Sequence, residues 1–144
     1  MKKILVILFL ATGLQLHAQV VNIPDKTKAD FAKKYPKAEN VDWDNNGTNY
    51  IARFNLGKEK YAARFHMDGT WNYTEQEMEL TAFPADVQTS IKNHRYSDLK
   101  ILSTAYIENS KNEKLYRVEF KKGIQKKYVF FDKTGKEIRT TSSV

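Results

Sequence analysis

The chain has 144 residues, with 24 Lys+Arg against 17 Asp+Glu and a formal net charge of +7. It contains no Cys, which excludes a disulfide framework, a thiolate metal site and a thiol nucleophile. Aromatic residues at 12% and charged residues at 28% exclude a wholly disordered chain, and the length accommodates one domain or two small fused units.

Met1-Lys2-Lys3 is a short cationic start, followed by the apolar run Ile4 to Leu10 and a small residue at Ala18. That order is the pattern of a secretory signal peptide, and the run is too short to cross about 30 Å of hydrocarbon. Residues 1–18 are therefore expected to be removed, leaving a single domain over 19–144 in the periplasm or outside the cell. Losing Lys2 and Lys3 and no acid lowers the charge from +7 to +5. No later segment is long and apolar enough to be a transmembrane helix.

A short helix is expected after Pro24, with Asp25 as its N-cap and Ala29, Phe31, Ala32 and Tyr35 as a narrow apolar stripe. Pro36 ends it, because the residue before proline avoids the helical region. Strand patterns follow. Tyr50, Ala52, Phe54 and Leu56 alternate with Ile51, Arg53 and Asn55, and Tyr61, Ala63 and Phe65 alternate with Ala62, Arg64 and His66. Alternation of period two with one apolar face marks a sheet covered on one side. Asp68-Gly69 reads as a tight hairpin leading into a strand that begins at Trp71 and Tyr73.

The pattern then recurs. Pro84 opens a second helix with Val87 and Ile91 on one face, and strands are expected near 99–107, 114–121, 125–132 and 136–141. Pro24 and Pro84, Phe31 and Ile91, and Val41 and Ile101 are each 60 residues apart. Tyr50 and Tyr116, Phe54 and Phe120, Gly57 and Gly123, Phe65 and Phe131, and Gly69 and Gly135 are each 66 apart, so one insertion reconciles both offsets. The expected fold class is α+β: two tandem repeats, about 22–80 and 82–144, each a helix plus an antiparallel meander. The helices are expected on one face of one sheet or of two abutting sheets.

The pattern Phe31-x3-Tyr35-Pro36, Val41-x-Trp43, Tyr50-x-Ala52-x-Phe54, Phe65-x2-Asp68-Gly69-x-Trp71 and Phe83-Pro84 resembles the PepSY-like, β-lactamase-inhibitor-like exported proteins of bacteria. The resemblance covers nearly all of 19–144. It implies a tandem α+β repeat with a concave sheet, a periplasmic or secreted home, no catalytic activity, and a role in binding or inhibiting other proteins. It implies no functional residues, and β-lactamase inhibition does not follow from fold similarity.

Several constellations carry residue types suited to chemistry. Asp42-x-Asp44-x-Asn46-Gly47 matches the start of a calcium loop and defines an alternative reading as a calcium-stabilised envelope protein, but Arg53 stands where a bidentate Glu is required, and a polar hairpin is the plainer reading. His66 and His94 lie in different repeats with no carboxylate cluster evident beside them, so no metal site is expected. No Gly-x-Ser-x-Gly or phosphate loop is present, and no cofactor is expected. Glu75, Glu77 and Glu79 share one strand face and, with His66, define an alternative reading as a small hydrolase or ligand-binding enzyme. Lys121, Lys122, Lys126 and Lys127 flank one hairpin. A solvated turn is the plainer reading there, nucleic acid is not expected, and an anionic membrane surface stays open.

The best candidate site is the uncovered sheet face. Alternation assigns Arg53, Arg64 and His66 to it in the first repeat, with Ile51, and Arg117, Glu119, Tyr128 and Phe130 in the second, with Lys121. The expected function is a non-enzymatic binding module for a protein or peptide of the cell envelope, with arginines meeting carboxylates and Tyr128 and Phe130 as exposed apolar anchors.

Overall fold

The computed structural model describes residues 22–143. The expected export segment lies outside them. In chain order the elements are α1 (Asp25–Lys34), β1 (Glu39–Asn45), β2 (Asn49–Leu56), β3 (Glu59–His66), β4 (Trp71–Glu77), a 3-10 turn (Leu80–Ala82), α2 (Ala85–Lys92), β5 (Lys100–Asn109), β6 (Lys114–Lys122), β7 (Gln125–Phe131) and β8 (Glu137–Ser143).

Both helices start directly after a proline, whose fixed φ suits a helix entrance and whose missing N–H is not needed there. Asp25 is not the N-cap of α1; Pro24 holds that position, and Asp25 is the first helical residue, where its charge favours the positive end of the dipole. Lys33 and Lys34 do the same at the other end. The apolar stripe also differs from expectation. α1 buries Thr27 and Phe31, one turn apart, while Ala29 and Ala32 are exposed. α2 buries Val87 and Ile91 in the same spacing.

All eight strands form one antiparallel sheet in sequential order, so the halves join directly. The junction is the pairing of β4 with β5, from Tyr73↔Asn109 to Glu77↔Ala105. Cross-strand register then defines two faces. One carries Ala52, Ala63 and Thr74, and continues through Tyr106, Tyr116 and Phe131. We call it the aromatic face. The other carries Ile51, Arg64 and Tyr73, and continues through Ala105, Arg117, Phe130 and Arg139. We call it the ionic face.

The register shifts at four places. β1 shifts between Glu39 and Asp42, β5 between Ile101 and Ser103, β4 at Asn72, and β8 at Ile138. An extra residue on one strand bends it and increases its twist.

Two core clusters lie on the aromatic face. Phe31 of α1 packs with Ile23, Tyr50, Ala52, Phe54, Ala63 and Phe65. Val87 and Ile91 of α2 pack with Phe83, Val118, Phe120, Val129 and Phe131. The first is ring-rich: Phe31 meets Phe54 edge-on at 5.0 Å and Trp43 at 5.3 Å. Such geometry adds about 0.5–1.5 kcal/mol per pair beyond area burial.

Gly69 and Gly135 fix how the β3–β4 and β7–β8 turns meet the helices. Both have positive φ, 85° and 80°. A Cβ at Gly69 would reach Thr27 Oγ1 at 2.7 Å, and one at Gly135 would reach the Asp86 carbonyl oxygen at 2.5 Å.

Candidate functional site

The ionic face carries a chain of alternating charges across five strands. Arg64 NH2 lies 3.3 Å from Glu75 Oε2, Arg117 Nε 3.5 Å from Glu75 Oε1, and Arg117 NH1 3.9 Å from Glu119 Oε2. Lys126 Nζ closes the series 2.8 Å from Glu119 Oε1. Ser103 donates to Glu119 Oε2 at 2.6 Å. The strands dictate this order. Ala62↔Glu75, Ala105↔Arg117 and Glu119↔Tyr128 are directly opposed pairs, so long side chains two residues along reach one another diagonally.

Aromatic rings pack among these charges. The Arg64 guanidinium sits 5.5 Å from the Tyr73 ring centre, Arg117 5.6 Å from Tyr128, and Arg139 4.2 Å from Phe130. Beneath them Ile107, Leu115 and Phe130 form a third buried cluster with Tyr73 and Tyr128 against it. Burial raises the pKa of the Tyr73 hydroxyl. At Glu119 burial acts to raise the pKa, but the bonds from Lys126 and Ser103 outweigh it, and the carboxyl sits below its usual range. The Nε–H groups of Arg64 and Arg117 make no hydrogen bond within the described residues.

Two clefts flank the Glu75–Arg117 pair. One, of about 630 Å³, runs from Asn49 on β2 past Tyr73, Ile107, Tyr128 and Phe130 to Arg139 and Thr141 on β8. The other, of about 650 Å³, extends past Ser103 and Ala105 toward Arg53. β2 and β8 are six strands apart, about 29 Å in a flat sheet at the usual strand spacing. One cleft lined from both ends means that the sheet curls toward this face.

By register, Arg53, Arg64, His66, Arg117, Glu119, Tyr128 and Phe130 all lie on the ionic face. Arg64, Arg117, Glu119, Tyr128 and Phe130 form its centre. The other two are peripheral. Arg53 is exposed and turns to Asp44, with both terminal nitrogens 3.3 Å from Oδ2, and His66 is exposed at the end of β3.

The expected openness of this face needs correction. Phe130 is 8% exposed, Ile51 3% and Glu119 8%. Phe130 is therefore not a free anchor; it is a floor residue, with Arg139 over its ring. The curl of the sheet and the size of its neighbours bury it.

Tyr73, Lys126 and Arg139 are site residues that the sequence does not single out, and Glu75 enters there only as part of the alternative enzyme reading. The alternation Tyr73, Glu75, Glu77 against Thr74, Gln76 is the available signal for the face. β4 is an interior strand, so Glu75 faces Arg64 on one side and Arg117 on the other.

The rival constellations come apart. Asp44 is on β1 and engaged by Arg53, while Asn46 Oδ1 accepts from the Thr48 and Asn49 amides in the β1–β2 turn. His66 and Glu75 are kept apart by Arg64, which holds that carboxylate itself. Among the described residues no three His, Asp or Glu converge as metal ligands.

His94 does have a carboxylate beside it, supplied from β8. Its side chain is 7% exposed, and Nε2 lies 3.2 Å from Glu137 Oε2. Its Nδ1 accepts from the Tyr96 amide, so Nε2 carries the proton donated to Glu137. Arg95 grips the same carboxylate at 2.8 and 2.9 Å, and Thr140 donates to it at 2.6 Å. These bonds, Arg95 first, hold the Glu137 pKa down at about 2. The cluster ties the end of α2 to β8 beside Phe120 and Phe131. It is a structural clamp remote from the ionic face.

Residues 48–139 match the beta-lactamase-inhibitor-like, PepSY-like family, and the chain belongs to that family. Three solved structures share its fold. A DUF2874 family protein from Bacteroides uniformis aligns at 21% identity with a TM-score of 0.73, covering 84% of this chain and 90% of that one. A BLIP-like protein from Bacteroides fragilis aligns at 18% identity and 0.72, covering 86% and 89%. A protein from Bacteroides eggerthii described as periplasmic aligns at 19% and 0.71, covering 84% and 89%. At these identities the likeness is one of fold. No curated protein sequence matches the chain. No helix among the described residues is long and apolar enough to cross a membrane.

Proposed function

We propose that this protein is an exported, non-enzymatic binding module whose concave ionic face recognises a protein or peptide of the cell envelope, as an inhibitor or an adaptor. The two halves are copies of one unit, about 22–80 and 82–144, and both helices lie against the aromatic face. The duplication is supported by the extra residues Asn72 and Ile138, 66 apart, and by Gly69 and Gly135 at the same offset, each pressed against the helix of its own half. Export is supported by the cationic start and apolar run of residues 1–18 and by the periplasmic description of the Bacteroides eggerthii structure.

The observation that carries the binding role is the Arg64–Glu75–Arg117–Glu119–Lys126 array. Apolar side chains of similar volume would hold such a site at least as well as buried ion pairs do. Charges kept there, with the Arg64 Nε–H making no hydrogen bond and the Arg117 Nε–H held only as an ion pair to Glu75, serve recognition. Tyr73 and Tyr128 supply flat amphipathic surface between them, and Arg is the cation best suited to a partner's carboxylate. Arg53, His66 and Arg139 form the rim, and Phe130 the floor.

A photo-crosslinking residue at Tyr128 tests this reading. It should join the protein to one envelope protein, with yield reduced by unmodified competitor, while the same residue at Lys37 should give no such product. Equal products from both positions, or none from Tyr128, would contradict the proposal.

A further inference from the structure

The tip of the β6–β7 hairpin stands apart from the site above. Ile124 is 81% exposed, the most exposed large apolar residue among those described. It occupies a two-residue turn with Gly123, whose φ is 61°, and a Cβ at Gly123 would meet nothing within 4 Å. The tip therefore projects into open space. Lys121 and Lys122 precede it, Lys126 and Lys127 follow, and no acid occurs between Glu119 and Asp132.

The register makes the charge more concentrated than the sequence shows. Lys100 of β5 is directly opposite Lys121, and Lys121 is directly opposite Lys126, so three lysines form a row across three strands. Like charges in directly opposed positions destabilise a sheet. Lys126 is relieved by Glu119, and Lys127 donates to Ser142. Lys100, Lys121 and Lys122 have no acidic partner among the described residues. The arrangement costs stability in the isolated protein and is relieved by an external anion.

We propose that this hairpin docks on an anionic lipid surface, with Ile124 entering the interface and Lys100, Lys121 and Lys122 meeting headgroup phosphates. The exposed Ile selects a bilayer over free phosphate, because an apolar side chain at a convex tip gains only where there is an apolar layer to enter. Each lysine near such a surface contributes roughly fivefold in affinity. The contact uses Lys100, Lys121, Lys122 and Ile124, none of which belongs to the Arg64–Glu75–Arg117–Glu119–Lys126 array, and it stands independently of the role assigned to the cleft.

The test is flotation of the full chain with phosphatidylglycerol-containing vesicles and with phosphatidylcholine vesicles. The protein should bind the anionic vesicles only, less so as salt rises. Lys121→Gln/Lys122→Gln should weaken binding about 25-fold, and Ile124→Ser about tenfold. Lys33→Gln/Lys37→Gln removes the same charge from exposed positions on and after α1 and should leave binding unchanged. All four proteins share residues 1–21, so any contribution from them cancels, and matching thermal melts establish that each is folded. Equal binding by all four, equal losses in the α1 control, or an Ile124→Ser protein indistinguishable from the parent would each overturn the proposal.

Discussion

The two faces of the sheet are built from the same eight strands and solve opposite problems. On the aromatic face Phe65, Phe120 and Phe131 are almost completely buried, in two clusters that each include residues of one helix. On the ionic face the same sheet curls around Arg64, Glu75 and Arg117, which are part-buried, and Glu119, which is buried. Apolar burial is the dominant favourable term in folding, whereas ion pairs taken out of water return little net stability. The comparison teaches that the apolar burial that stabilises the fold is concentrated on one side of the sheet and the paired charges on the other.

The largest expected effect falls on the aromatic face. Phe65→Ala or Phe120→Ala should each cost about 3–5 kcal/mol, read as a lower urea midpoint at unchanged slope. Next come the glycines that seat the turns on the helices. Gly135→Ala puts a Cβ against backbone at Asp86 with φ at 80°, and should cost about 2–3 kcal/mol. Gly69→Ala meets the Thr27 side chain and no backbone, and should cost about 1–2 kcal/mol. Equal losses would erase this distinction between the halves.

Smaller still is the clamp at the end of α2. Glu137 has its pKa lowered from 4.5 to about 2. Its contribution is therefore complete above pH 4.5 and is lost as pH falls from there toward about 2. After allowance for partial exposure this amounts to roughly 1–2 kcal/mol. Glu137→Gln should lower stability at pH 7 by that amount and flatten the acid limb of the stability profile. An unchanged acid limb would show that the clamp carries no linkage. The smallest stability effect is expected on the ionic face. Arg64→Met/Glu75→Leu/Arg117→Met should leave stability within about 1 kcal/mol of the parent, because these three charges leave together, apolar bulk replaces them, and Glu119 keeps Lys126 and Ser103.

Much of this architecture was legible in single residues. Period-two runs such as Tyr50 to Leu56 announce strands and their sides, and prolines announce both helices. What was not legible depends on pairing at a distance. Nothing local to Glu75 says that β5 will lie beside β4 and that β6, beyond it, will deliver Arg117. Alternation likewise reports which side Phe130 faces, but not that the sheet curls until that side encloses it. No carboxylate is evident beside His94 in the sequence because its partner, Glu137, lies 43 residues away on β8.

The central claim, that the charged side of the sheet exists for contact and contributes little to folding, is tested most directly by one paired measurement on the Arg64→Met/Glu75→Leu/Arg117→Met protein. Its urea midpoint and its cross-linking from position 128 to an envelope partner are read together. The account predicts a midpoint near the parent's with the cross-link lost. A collapsed midpoint, or a cross-link that survives at parental yield, would contradict it.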